Sequence, residues 1–168
     1  MSRYELAQLN IAVMKEPLDA PLMADFVASL ERVNALADGS EGFVWRLQSE
    51  EGDATLLRPL GENVLVNMSV WEGVEALRDY VYRSAHVEVM RRRKEWFERM
   101  SEAYLVLWWV PRGHRPTVSE AIAKLMHLRL HGPTEEAFTF RRLFLGPDAS
   151  QQSQQAAPRD VGDECPAT

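Results

Sequence analysis

The sequence predicts an α+β fold: a ferredoxin-like β-α-β-β-α-β antiparallel sheet with its helices on one face. Three observations predict it. Stretches that alternate every second residue stand on either side of two stretches that repeat every three to four, one after Leu22 and one after Gly73. Between those two helical stretches lie two strand-like runs, around Phe43 and Val64, with no helix separating them. The chain has 168 residues, 46% of them hydrophobic, which suits one domain with a sizeable core.

Each element can be justified in order. In the first strand, from Leu6 to Val13, Leu9, Ile11 and Val13 point one way and Gln8, Asn10 and Ala12 the other. Pro17 and Pro21 punctuate a connection, after which Leu22, Phe26, Leu30, Val33 and Ala37 recur at helical spacing. Asp38-Gly39-Ser40 ends that helix. Phe43 to Leu47 reads as a strand and Glu50 to Asp53 as a turn. Val64 to Trp71 alternates again, with Leu65, Asn67, Ser69 and Trp71 sharing one face. Helical spacing then extends from about Gly73 to Met100, and Tyr104 to Val110 is an apolar strand closed by Pro111.

The long helical stretch reads as two helices. Val74, Leu77 and Val81 mark the buried side of its first part; Val89, Met90, Trp96, Phe97 and Met100 mark that of its second. On one continuous helix those stripes would lie about 130° apart, so one would face water. A break near Tyr82-Arg83-Ser84, with Ser84 as N-cap of the second helix, avoids this. His86 and Arg93 then fall on the second apolar stripe, where a polar group needs a partner or a cavity.

Beyond the core pattern, Thr117-Val118-Ser119-Glu120 is a capping box opening an extra C-terminal helix, which His131-Gly132-Pro133 ends. Phe138 to Phe144 is expected to form a short strand or an arm. From Asp148 onward large apolar side chains almost vanish, so residues 148–168 are expected to be a disordered tail following a domain at residues 1–147.

Composition narrows the function. Nineteen basic against 25 acidic residues give a net charge of −6, which argues against nucleic acid as a partner. No apolar run is long enough for a membrane helix, and no signal sequence is visible at the N-terminus, so a cytoplasmic protein is expected. The one cysteine, Cys165, excludes an internal disulfide and a multi-cysteine zinc site. His114, His127 and His131 lack metal-site spacing, so no metal is expected. A phosphate loop and a nucleophile elbow are also missing. Because adjacent Trp108 and Trp109 must point to opposite sheet faces, one of them should lie on a face bare of helices, and a homodimer is expected to cover it.

The run Asn67-Met68-Ser69-Val70-Trp71-Glu72-Gly73-Val74-Glu75-Ala76-Leu77, followed by Tyr82-Arg83-Ser84-Ala85-His86, resembles the dimeric α/β-barrel superfamily. Leu6 to Ala12, Gly42 to Leu47, Arg91 to Phe97 and Trp108-Trp109-Val110-Pro111 narrow the likeness to the bacterial family called domain of unknown function 3291, over roughly residues 5–145. The resemblance implies two ferredoxin-like protomers packed sheet to sheet, with a pocket between each sheet and its helices. Branches of the superfamily include cofactor-free quinol monooxygenases, haem-degrading monooxygenases, chlorite dismutases, lactone isomerases and polyketide cyclases; shared fold does not select among them.

Taken with the residues, the resemblance implies a small monooxygenase-like enzyme with no cofactor, acting on an apolar aromatic or polyketide-like compound. His86 resembles the helix histidine of the haem-degrading branch and suits proton transfer or ligation; the other reading is a capping or core histidine. Asn10 and Arg93 complete the candidate catalytic set, orienting polar oxygens. Trp45, Arg46, Asn67, Trp71, Tyr82, Met90 and Phe97 are the candidate substrate-binding residues. Haem is the alternative occupant, in a non-catalytic binding module; the haem-degrading branch has a tryptophan ten residues before its histidine, where this chain has Ala76.

Overall fold

A computed structural model of the chain describes residues 2–49, 55 and 57–149. It contains β1 (Tyr4–Val13), a 3-10 turn (Pro21–Met23), α1 (Ala24–Asp38), β2 (Phe43–Arg46), β3 (Val64–Trp71), α2 (Val74–Arg83), α3 (His86–Trp96), β4 (Leu105–Pro111) and α4 (Val118–His131). The sheet order is β2-β3-β1-β4 and every pairing is antiparallel, as the ferredoxin-like order requires. β1 is central, so both of its faces are covered, and Leu6, Ala7, Leu9, Ile11 and Ala12 are all buried.

The long helical stretch does break where the two stripes demand it. α2 ends at Arg83 and α3 begins at His86. Ser84 is the C-cap of α2 and Ala85, rather than the expected Ser84, the N-cap of α3; the Ser84 hydroxyl still bridges the two, donating to the Tyr80 carbonyl and accepting the His86 backbone N–H at 3.1 Å. α3 stops at Trp96 rather than near Met100, because Phe97 turns extended and pairs with Met14 beside the start of the α1 connection.

The two sheet faces differ. Helices α1, α2 and α3 lie over the face that carries Gln8, Asn10, Asn67 and Ser69. The opposite face carries Leu9, Met68, Val106 and Trp108, and α4 packs on it through Ala121, Leu125 and Leu128. Trp108 and Trp109 do point to opposite faces. Neither face is bare, however: Trp108 is only 1% exposed in the single chain. The second sheet face, expected to be bare, is therefore covered at Trp108 by the chain's own fourth helix.

α4 starts as its sequence requires, with the Thr117 hydroxyl accepting the Glu120 N–H at 3.1 Å. The Glu120 carboxylate does not close the box. It accepts from the Trp108 indole at 3.3 Å and lies 2.8 Å from His114 Nε2, tying the helix start to the sheet. The segment after α4 is an arm folded on its own chain. Phe138 exchanges two backbone hydrogen bonds with Leu107 at the free edge of β4, and the Trp109 indole donates to the Phe144 carbonyl at 2.9 Å. Asp148 is tied to Arg3, accepting its backbone N–H at 2.6 Å and its Nε–H at 3.0 Å. The rest of the expected tail, residues 150–168 with Cys165, and the expected turn at residues 50–53 lie outside the described residues. Among the described residues no helix is long and apolar enough to cross a membrane.

Candidate functional site

A cavity of about 180 Å³ lies between the sheet and helices α1, α2 and α3. Its floor is a row of polar side chains. Register sets Gln8 opposite Ser69 and Asn10 opposite Asn67 across β1 and β3. Gln8 Nε2 donates to Asn67 Oδ1 at 2.7 Å and to Ser69 Oγ at 2.9 Å; Asn10 Nδ2 lies 3.4 Å from Gln8 Oε1 and 3.5 Å from Asn67 Oδ1. Ser69 Oγ also accepts from the Trp71 indole at 2.8 Å. Gln8 is thus a buried, fully engaged anchor, whereas the Asn67 side chain is exposed in the cavity and its amide nitrogen has no protein acceptor among the described residues.

The roof carries the histidine. His86 is the first residue of α3, set there by the break that Ser84 holds, and its ring lines the cavity. Its Nδ1 is buried and has no hydrogen-bond partner among the described residues. Burial pulls its pKa below the ordinary histidine value of 6.5, with the Val81 carbonyl opposing the shift, so the ring is neutral at pH 7. Tyr80 packs against the ring at 4.9 Å between centroids and stacks in turn on the fully buried Trp71 at 5.1 Å. The Tyr80 hydroxyl donates to the Val33 carbonyl at 3.3 Å, and burial pushes its pKa up to about 12. Tyr80 therefore supports the imidazole and stays protonated.

Arg93 lies one face-repeat further along α3 and lines the same cavity. One Nη2 bond to the Ile11 carbonyl, at 3.2 Å, is its hydrogen bond to protein. Its guanidinium sits over Tyr104 at 4.6 Å and over Phe97 at 5.5 Å. Arg46 also lines the cavity but holds Asp38 through Nε at 2.7 Å and Nη2 at 3.2 Å. Met90 and Phe97 complete the apolar wall as expected.

Three expected substrate-binding residues do not line this cavity. Trp45 faces the other side of the sheet, in the cluster under α4, because a bulge between Phe43 and Trp45 shifts the alternation of β2. Trp71 lies on the predicted face but is fully buried behind Tyr80. Tyr82 is 60% exposed and touches Phe140. Lining residues outside the candidate set include Gln8, Asn34, Ser69, Tyr80, Tyr104 and Phe140. In the Arg91–Lys94 run, Arg92 pairs with the exposed Asp25 and Glu95. No group of three metal-ligating side chains occurs among the described residues.

A family model described as "Domain of unknown function (DUF3291)" matches residues 5–155. The chain belongs to this family. No curated protein matches the DUF3291 chain. Among solved structures it is similar to NE2512, a protein of unknown function from Nitrosomonas europaea, at 13% identity and a TM-score of 0.42, over 68% of this chain and 95% of that one. It is similar to SnoaB, a cofactor-independent oxygenase from Streptomyces nogalater, at 17% identity and a TM-score of 0.40, over 69% and 98%. The third is Rv0793 from Mycobacterium tuberculosis, at 13% identity and a TM-score of 0.42, over 67% and 99%.

Proposed function

We propose that this DUF3291 protein is a small oxygenase that needs no bound cofactor and acts on an electron-rich aromatic or polyketide-like compound. The observation that carries the reading is His86: an imidazole on the wall of the cavity that burial keeps neutral at pH 7. Such a ring is fit to take a proton from a bound acid. Asn10 and Asn67 face it from the floor and would hold the oxygens onto which the resulting charge spreads.

The step balances without a further reductant. His86 removes a proton from an activated CH₂ of the substrate, leaving a carbanion stabilised by a neighbouring conjugated carbonyl. Dioxygen accepts the electrons and forms the new C–O bond, giving a peroxide. Protonation and loss of water, with cleavage of the O–O bond, turn the CH₂ into a carbonyl: one O₂ is consumed and one H₂O released. A dry pocket protects the carbanion from simple reprotonation.

The volume supports a ligand of one or two rings. It is below the roughly 300–1,000 Å³ of pockets that take drug-sized molecules, and a tetrapyrrole is at least that large. Haem is for that reason the less favoured occupant.

Oxygen uptake with a panel of one- and two-ring ketones bearing an activated CH₂, such as indan-2-one and 2-tetralone, tests it. The expected result is stoichiometric O₂ consumption with one substrate class, a product heavier by one oxygen and lighter by two hydrogens, and loss of turnover in His86→Gln. Equal turnover in His86→Gln, or no oxygen uptake with any of the panel, would overturn the reading.

A further inference from the structure

Arg93 is a cation without an anion. Among the described residues no carboxylate approaches it within salt-bridge distance, and only one of its five N–H donors bonds to protein. Its neighbours in the cavity do not repair this. Arg46 is held by Asp38, Tyr104 and Phe97 offer ring faces, and the floor offers amides. A half-buried guanidinium left this way loses solvation without gaining a counter-charge, which a protein tolerates where a ligand supplies the charge. Two aromatic faces flank the guanidinium, and Arg93 lines the cavity.

We infer that Arg93 is an anion-binding subsite and that the substrate carries a carboxylate. This rests on the reading of the cavity as a substrate site and names the class of molecule it takes: a compact aromatic acid. Seven residues separate His86 from Arg93, which places them on one helix face about 10 Å apart along the axis. That spacing is on the scale of one aromatic ring with the carboxylate at one end and the reacting group at the other. Arg93 positions that ring; His86 acts on it.

Calorimetric titration with 2,5-dihydroxybenzoate and its methyl ester tests the inference, because the ester keeps the ring and removes the charge. Wild-type protein should bind the acid about tenfold to a hundredfold more tightly than the ester, the range for a hydrogen bond to a charged group. Arg93→Gln should abolish that preference, Arg93→Lys should keep part of it, and His86→Gln should keep all of it. Thermal melts show which variants fold, and the comparison of acid with ester in wild type needs no variant. Equal binding of acid and ester in wild type, no binding of the acid at millimolar concentration, or an undiminished preference in Arg93→Gln would overturn the inference. An acid preference that depends on Arg93, found without oxygen uptake, would leave the subsite standing and remove the oxygenase. Turnover of uncharged substrates that depends on His86, with no acid preference, would do the reverse.

Discussion

Replacing Leu125 by alanine tests whether α4 truly covers the second sheet face. Leu125 is fully buried, in one cluster with Leu9, Met68, Val106 and Trp108, each of them at most 1% exposed. A leucine deleted from such packing costs about 2–5 kcal/mol in lost transfer energy and residual cavity. For a chain of this length each kcal/mol lowers the melting temperature by about 2–4 °C, so a fall of roughly 4–20 °C is expected. Met126, the next residue, is 42% exposed, and Met126→Ala should change stability by no more than about 0.5 kcal/mol.

Circular dichroism melts of the two variants make the comparison. If Leu125→Ala melts like Met126→Ala, something other than the chain's own α4 covers Trp108 in solution.

Ser69→Ala should cost about 1–3 kcal/mol, because it takes an acceptor from both Gln8 Nε2 and the buried Trp71 indole; an unchanged denaturation midpoint would show that Ser69 does not organise the floor. His86 should make stability depend on pH. The unfolded chain binds a proton near pH 6.5 while the folded ring resists it, so this part of the stability is complete above 6.5 and is lost as pH falls below it. Melts from pH 7.5 to 5 should show a smaller acid-side loss in His86→Gln than in wild type, and an equal loss would mean that the buried ring is not the responsible group.

The framework was legible because periodicity constrains it directly. The change of stripe between Val81 and Val89 located the break between α2 and α3, and with it the placement of His86 at a helix start. The face shared by Gln8, Asn10, Asn67 and Ser69 followed from strict alternation in β1 and β3. Errors arose where alternation or helix spacing was interrupted or read too coarsely. One bulge in β2 carried Trp45 to the wrong face. Tyr80 stands three residues after the buried Leu77 and so shares its side of α2, a signal that favoured it over Tyr82. The role of α4 was not legible for a different reason. Its stripe of Ala121, Leu125 and Leu128 shows that it buries one side, but helical spacing does not say which layer it lies on. The missing counter-ion of Arg93 was likewise invisible until the surroundings of the guanidinium were in place.

The central claim is that His86 withdraws a proton from a molecule bound in the cavity. Exchange of the activated CH₂ protons of 2-tetralone for deuterium in D₂O, followed by NMR, measures this directly, because transient removal of the proton is enough. Wild-type protein should speed the exchange well above the rate in buffer, and His86→Gln should not. The same exchange rate in both proteins would contradict the claim, as would a wild-type rate equal to that in buffer.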